Sequence, residues 1–104
     1  MMTDRVLAAT LVEPRRFELR EYGVPELTAS DGLLRIERCG VCGSDVRDWG
    51  SMDRGVRILG HENLGHVAGL GAEAQARWGV KEGDRVALEE YLPCGVCDVC
   101  RAGD

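Results

Sequence analysis

The sequence lacks an excess of basic residues and lacks long apolar runs. It holds 13 Lys and Arg against 18 Asp and Glu, a formal net charge of −5, and no basic stripe of the kind that binds nucleic acid. The longest mostly apolar run covers residues 6–12, far short of the roughly 20 residues that span a bilayer. Asp4 and Glu13 flank this run, unlike the flanks of a secretory signal. We therefore expect a soluble, cytoplasmic protein without nucleic-acid or membrane partners.

Internal repeats and low-complexity linkers are also missing, and proline is scarce. The 104 residues suffice for about one ordinary domain. A hydrophobic content of 44% with 30% charged residues is typical of a folded chain. Only three prolines accompany 14 glycines, which favours a mainly β fold with the bends, bulges and close backbone approaches of a barrel.

Alternating apolar and polar residues predict several short strands. They cover residues 5–12, 17–22, 33–38, 65–70 and 85–88. A break at Pro14 indicates that the first two form a β-hairpin. Short helical turns are predicted through Trp49, where Ser44 or Asp45 is a candidate cap, and over residues 72–78.

Five cysteines are many for a cytosolic chain, and three of them, Cys94, Cys97 and Cys100, lie close together. Reducing conditions and short spacings argue against disulfides, whereas thiolates on successive tight turns suit one tetrahedral metal ion. A redox role for Cys94 and Cys97 is an alternative, because a Cys-x-x-Cys pair can cycle when one pKa is low. The third cysteine and the lack of a strand–helix–strand setting argue against it.

Cys42 and His61 are candidate metal ligands outside this group, each on a glycine-rich loop after a predicted strand. A catalytic zinc needs three protein ligands and an open position. Ser44 is near enough to hydrogen-bond a substrate hydroxyl there, and Asp45 and Glu62 could orient His61 or neutralise the metal. Taken alone, Cys42 is better explained as a small buried apolar residue and His61 as an ordinary loop histidine, so the metal site depends on the surrounding motifs.

Four motifs occur in one order along the chain. They are GVCGSD at residues 40–45, GHENLG at 60–65, GDRV at 83–86 and PCGVCDVCRAG at 93–103. Together they closely resemble the amino-terminal, GroES-like domain of the zinc-dependent medium-chain alcohol dehydrogenases, from the first hairpin to the last residue. The resemblance implies that residues 1–104 form a mainly β, partly open barrel with short helical turns and a structural zinc lobe from about residue 89.

The same resemblance implies roles for individual residues. Cys42 and His61 match two ligands of a catalytic zinc, and Glu62 matches a carboxylate that approaches the metal. Ser44 matches a hydroxyl that relays the substrate proton. Asp45 matches the group that steadies the zinc-bound histidine.

The cysteine group and the aromatic residues are interpreted in the same way. Cys94, Cys97 and Cys100 match three of the four ligands of a structural zinc. Cys39 has no role in the motifs and is expected to be a packed small side chain. Tyr91 either lines the substrate cleft or packs in the core. Trp49 and Trp78 are expected to be packing residues.

Two positions depart from the family pattern on the side that would face the cofactor. Arg47 stands where many relatives have a histidine that releases protons to solvent. Arginine stays protonated, so Arg47 can donate to a ribose or phosphate but cannot release a proton at pH 7. Gly43 stands where some relatives have a basic residue on the cofactor pyrophosphate. Gly43, Ser44 and Arg47 are therefore the candidate cofactor contacts, with a solvated surface role as the alternative for Arg47.

The sequence holds no Gly-x-Gly-x-x-Gly turn between a strand and a helix. The resemblance therefore implies that the Rossmann domain, the third catalytic zinc ligand and the fourth structural cysteine lie beyond this chain, an incomplete amino-terminal fragment. In full length we expect an NAD(P)-dependent, homo-oligomeric alcohol or polyol dehydrogenase with two zinc ions and a small alcohol substrate. The fragment itself is expected to be inactive. The alternative is a stand-alone zinc-binding β module with a structural or interaction role, which has no use for the motifs around Cys42 and His61.

Overall fold

The structure, a computed structural model, describes residues 5–103. In chain order these residues form β1 (Arg5–Glu13), β2 (Arg16–Gly23), β3 (Gly32–Gly40), α1 (Gly43–Ser51), β4 (Arg57–Ile58), β5 (Glu62–Leu70), α2 (Ala72–Trp78), β6 (Arg85–Ala87) and α3 (Asp98–Ala102). The predicted mainly β fold with short helices is confirmed. Residues 1–4 and 104, the ends of the predicted domain, lie outside the described range.

Two antiparallel sheets hold the strands. One has the order β2-β1-β4 and the other β3-β5-β6. The predicted hairpin of β1 and β2 is confirmed, and Arg15 takes a left-handed φ of 63° at its turn. The backbone N–H of Arg15 donates to the carbonyl of Trp49 over 2.7 Å, and its guanidinium lies 5.7 Å from the Trp49 ring centroid. These contacts fix the end of α1 against the hairpin.

The second sheet brings the two predicted site loops together. Gly40, the last residue of β3, pairs with Glu62, the first residue of β5. The chain segments that follow Gly40 and precede Glu62 therefore meet at one edge of this sheet. Farther along, Gly65 permits a close crossing, because a side chain there would collide with the carbonyl of Arg35.

Few side chains are buried in the described part of the chain. Leu11, Val67 and Ala74 are the buried apolar residues. Thr10 is also buried, and its hydroxyl shares a 2.7 Å hydrogen bond with the Tyr22 hydroxyl, which satisfies its polar group. Many larger apolar side chains on the strands and loops stay exposed.

Four details differ from the sequence-based expectations. Two short elements, β4 and α3, were not predicted, because two and five residues show no periodicity. The residue that precedes α1 as its cap is Cys42 rather than Ser44 or Asp45. Strand β5 starts at Glu62, three residues before the predicted position. Cys39 is exposed instead of packed, since it borders an apolar cavity of about 360 Å³ that also contacts Trp49.

No helix within residues 5–103 combines the length and apolarity needed to cross a membrane.

Candidate functional site

Cys42, His61 and Glu62 form a group that we call the mixed cluster. One potential ligand atom from each lies within 4.8 Å of those of the other two. Cys42 directly precedes α1, and His61 directly precedes β5, so the Gly40–Glu62 strand pair brings them together. A thiolate, an imidazole and a carboxylate are the donors that zinc takes in proteins.

Glycines next to the mixed cluster leave space for its side chains. A side chain at Gly40 would collide with the carboxylate of Glu62. Gly60 has a φ of 116°, which other residues rarely adopt, and a Cβ there would come within 2.6 Å of the Cys39 sulfur. A substitution at Gly40 would therefore push the Glu62 side chain aside, and one at Gly60 would strain the backbone directly before His61.

The electrostatics of the mixed cluster favour a charged Cys42–His61 pair. Hydrogen bonds from the hydroxyl and backbone of Ser44, followed by one from His61, lower the pKa of Cys42 below its ordinary value. The hydrogen bond with Cys42, helped by the nearby carboxylate of Asp45, raises the pKa of His61. A thiolate is the form of cysteine that binds metal, so lowering the pKa of Cys42 prepares it as a ligand.

Asp45 touches both sides of the mixed cluster. Its Oδ2 accepts a 3.0 Å hydrogen bond from the backbone N–H of Cys42, and its Oδ1 lies 3.5 Å from Nδ1 of His61. In the neutral ring, a carboxylate at Nδ1 favours the tautomer with its proton there, which leaves the Nε2 lone pair for a metal. The structure thus places Asp45 next to His61, as the sequence predicts.

The candidate cofactor contacts lie on the open side of α1. Gly43 is the first residue of α1, and no neighbouring atom lies within 4 Å of the position that a Cβ at Gly43 would take. The Arg47 side chain is 71% exposed, with its Nε 3.8 Å from Asp48 Oδ1. Both positions are accessible to a ligand from solvent, and the exposed guanidinium also fits the alternative of a solvated surface residue.

Cys94, Cys97 and Cys100 form a second group, the cysteine cluster, with sulfurs within 4.8 Å of one another. Cys97 caps α3, and its sulfur accepts the N–H of Cys100 over 3.4 Å. The sulfur of Cys94 accepts the N–H groups of Val96 and Cys97 over 3.5 and 3.4 Å. These backbone bonds are the main reason why the pKa of Cys94 falls to about 7.

This lowered pKa predicts that Cys94 reacts rapidly with iodoacetamide at neutral pH in the metal-free chain. About half of it is thiolate at pH 7, against about 1% for a thiol with the ordinary value of 9.0. Alkylation of Cys94, followed site by site with mass spectrometry from pH 5 to 10, should therefore rise with a midpoint near 7. Saturating zinc should suppress it. A midpoint near 9 without metal would contradict the hydrogen-bonded thiolate.

Glu90 is a neighbour of the mixed cluster that the sequence does not predict. Its Oε2 lies 3.3 Å from Nε2 of His61. Glu90 follows β6 and belongs to none of the four motifs, so only the folded structure brings it to His61. Tyr91, the next residue, is 75% exposed, which excludes core packing among the described residues and leaves its role in a substrate cleft untested.

Comparisons with known proteins show what the chain as a whole is similar to. The family described as "Alcohol dehydrogenase GroES-like domain" matches residues 28–104. A probable alcohol dehydrogenase of Mycobacterium tuberculosis is 42% identical over 95% of this chain and 28% of the relative. Erythritol/L-threitol dehydrogenase of Mycolicibacterium smegmatis is 34% identical over 96% of this chain and 31% of the relative. An Escherichia coli CFT073 alcohol dehydrogenase solved with NADH superposes with a TM-score of 0.81 and 25% identity over 97% of this chain and 29% of that one.

Proposed function

Since the chain belongs to the alcohol dehydrogenase GroES-like domain family, we propose that it forms the metal-binding domain of an NAD(P)-dependent alcohol or polyol dehydrogenase. The single observation that supports this most strongly is the convergence of the Cys42, His61 and Glu62 ligand atoms. The chain spans 28% and 31% of the length of the two relatives described above. The proposal therefore concerns the role of this chain within a full-length enzyme.

The donor set of the mixed cluster fits zinc. Cys42, His61 and Glu62 supply one sulfur, one nitrogen and one oxygen, and all three can approach one ion. A bound zinc ion would supply Lewis-acid polarisation of a substrate oxygen. Asp45 would hold the His61 ring in one tautomer through its Nδ1.

Oxidation of an alcohol removes a proton from the hydroxyl and a hydride from the carbon, which becomes a carbonyl carbon. A bound nicotinamide cofactor would supply the acceptor for that hydride. Ser44 is the proposed acceptor of the hydroxyl proton, because its side chain hydrogen-bonds Cys42 and so lies at the mixed cluster. A hydroxyl can accept one proton while it donates its own, which suits a relay.

Gly43, Ser44 and Arg47 are proposed to face the cofactor. The open space at Gly43 would admit a phosphate or ribose close to the backbone. Arg47 would donate to that group and stay charged at every physiological pH. Because it stays protonated, Arg47 would not provide an exit for the proton that Ser44 accepts.

The cysteine cluster is proposed to hold a structural zinc through Cys94, Cys97 and Cys100, with a fourth ligand outside these residues. A stand-alone zinc module would use this cluster only and would leave the convergence of the mixed cluster unexplained. A homo-oligomeric enzyme in the cytoplasm stays a prediction.

The 104-residue chain should show no dehydrogenase turnover by itself, since hydride transfer needs substrate and nicotinamide held in contact. Zinc-loaded chain would be mixed with primary, secondary and polyol substrates and with NAD or NADP. We expect no absorbance change at 340 nm, whereas a chain extended to the relatives' length should reduce the cofactor. An extended chain that binds zinc and NAD(P) but oxidises no alcohol would overturn the proposed function. Turnover by the purified 104-residue chain would show that the nicotinamide site lies within it.

A further inference from the structure

The sulfurs of Cys94 and Cys100 lie 3.8 Å apart in the cysteine cluster, although six positions separate the two residues. Gly95 has a left-handed φ of 79°, and the turn that it makes, followed by the start of α3, brings Cys100 back to Cys94. A disulfide bond is about 2.05 Å long, so the two sulfurs need to approach each other by roughly 1.8 Å. Rotation of one cysteine side chain to another staggered position moves its sulfur by more than that.

The three sulfurs of the cysteine cluster differ in their hydrogen bonds. The Cys97 sulfur accepts the N–H of Cys100 over 3.4 Å and caps α3, and the Cys94 sulfur accepts two backbone N–H groups. Within residues 5–103, no backbone N–H donates to the Cys100 sulfur, whose contact is with the Cys94 sulfur. The Cys100 sulfur can therefore turn without loss of a hydrogen bond, whereas a disulfide to Cys97 would involve the sulfur that caps α3.

Exposure gives Cys94 and Cys100 different roles in an exchange reaction. Cys94 is exposed and Cys100 is half-buried. Thiol–disulfide exchange starts when an accessible thiolate attacks a disulfide sulfur. A dissolved disulfide reaches Cys94 more easily than Cys100, and the two N–H donors stabilise a thiolate at Cys94. Cys100 then lies close enough to attack the Cys94 sulfur in a second step.

We propose that Cys94 and Cys100 form an intramolecular disulfide when the cysteine cluster holds no metal and a small disulfide such as oxidised glutathione is present. The Cys94 thiolate bonds to one sulfur of the oxidant, and the other sulfur leaves as a thiolate. The Cys100 sulfur then loses its proton to water, bonds to the Cys94 sulfur and releases the second thiolate. Two protein thiols are oxidised, and one small disulfide is reduced to two thiols.

The disulfide and a metal ion exclude each other at the cysteine cluster. Zinc binds thiolates, and the cross-link leaves Cys97 as the one free thiol of the three. An excess of a small thiol would reverse the exchange and restore the ligands. The redox pair considered from the sequence is Cys94 and Cys97, whereas the structure favours Cys100 as the partner of Cys94. This inference goes beyond the proposed function and does not depend on the mixed cluster.

The experiment treats the metal-free 104-residue chain with oxidised glutathione at pH 7 and maps the cross-links by mass spectrometry. Cleavage before Asp98 separates Cys100 from the other two cysteines. Most of the cross-link should join Cys94 to Cys100. Saturating zinc should slow its formation by at least about tenfold, because ligated thiolates are not free to attack. In denaturant, the pairs that close shorter loops, Cys94 with Cys97 and Cys97 with Cys100, should predominate instead.

Three substitutions separate the steps of the reaction. Cys97→Ser should form the cross-link within about threefold of the unaltered rate, since Cys97 takes no part in the exchange. Cys100→Ser should form no cross-link and should accumulate glutathione on Cys94, because the thiol of the second step is missing. Cys39→Ser is the matched control and should react like the unaltered chain, since Cys39 is exposed and lies outside both clusters.

Several outcomes would overturn the inference. They are a native chain that gains glutathione but no cross-link, a cross-link mainly between Cys97 and either of its neighbours in the cluster, and loss of the cross-link in Cys97→Ser. The same distribution of pairs with and without denaturant would show that proximity along the chain, rather than the fold, selects the partner. Each of these results leaves the proposed function intact, because the zinc affinity of the mixed cluster is measured separately.

Discussion

Replacing His61 with Ala should lower the zinc affinity of the mixed cluster by more than about 100-fold, because it removes a ligand rather than a supporting group. His61 lies between Asp45 at Nδ1 and Glu90 at Nε2, and no other imidazole is near the cluster among residues 5–103. In an extended, active chain the same change should abolish turnover. Competition with a chromophoric chelator measures the affinity directly.

His66 provides the control for this substitution. It lies in β5, five residues from His61, and its Nδ1 is 3.9 Å from Glu37 on the neighbouring strand. Ion pairs of such exposed groups contribute little, so His66→Ala should leave the affinity within about threefold. An equal loss of zinc affinity in His61→Ala and His66→Ala would show that a disturbed strand β5, rather than a missing ligand, weakens binding. Unchanged affinity in His61→Ala would exclude His61 from the metal site.

Replacing Cys97 with Ser should remove the zinc of the cysteine cluster, again with a loss of more than about 100-fold. The Cys97 sulfur has two roles. It is one of three converging thiols, and it accepts the N–H of Cys100 at the start of α3. Serine can keep the cap but is a poor zinc ligand. Titration with Co²⁺ should show a sulfur-to-metal band reduced to the contribution of the single Cys42 thiolate of the mixed cluster.

Cys39→Ser is the matched control, because Cys39 is exposed and belongs to neither cluster. Its zinc content should equal that of the unaltered chain. Adding residues up to a fourth cysteine should tighten binding at the cysteine cluster, since a structural zinc closes with four ligands. A Cys97→Ser chain that keeps both zinc ions would refute the structural site.

The motifs allowed the two clusters to be predicted because ligand chemistry restricts residue type strongly. Cys42, His61 and Glu62 belong to two glycine-rich motifs whose order and spacing are specific, and β3 and β5 then pair where the prediction needs them to. The three cysteines of the second cluster are close in sequence, so local turns suffice to bring them together.

Features that depend on tertiary contacts could not be predicted from the sequence. Glu90 meets His61 only because the segment after β6 folds over the start of β5. We expected Cys39 to be packed because cysteine is usually buried. Its side chain is exposed, however, and borders a cavity that the described residues leave open. The helix α3 depends on a thiol cap at Cys97, a residue that ordinary capping preferences do not favour.

Zinc K-edge X-ray absorption of the Cys97→Ser chain, loaded with one equivalent of zinc, tests the central claim most directly. The account predicts one sulfur at roughly 2.3 Å, from Cys42, and a shell of nitrogen and oxygen at roughly 2.0–2.2 Å, from His61 and Glu62. Loss of the sulfur shell from the spectrum of the Cys42→Ser variant should confirm that this sulfur belongs to Cys42. A spectrum with no sulfur, or with several sulfurs and no imidazole, would contradict a mixed cluster that binds metal.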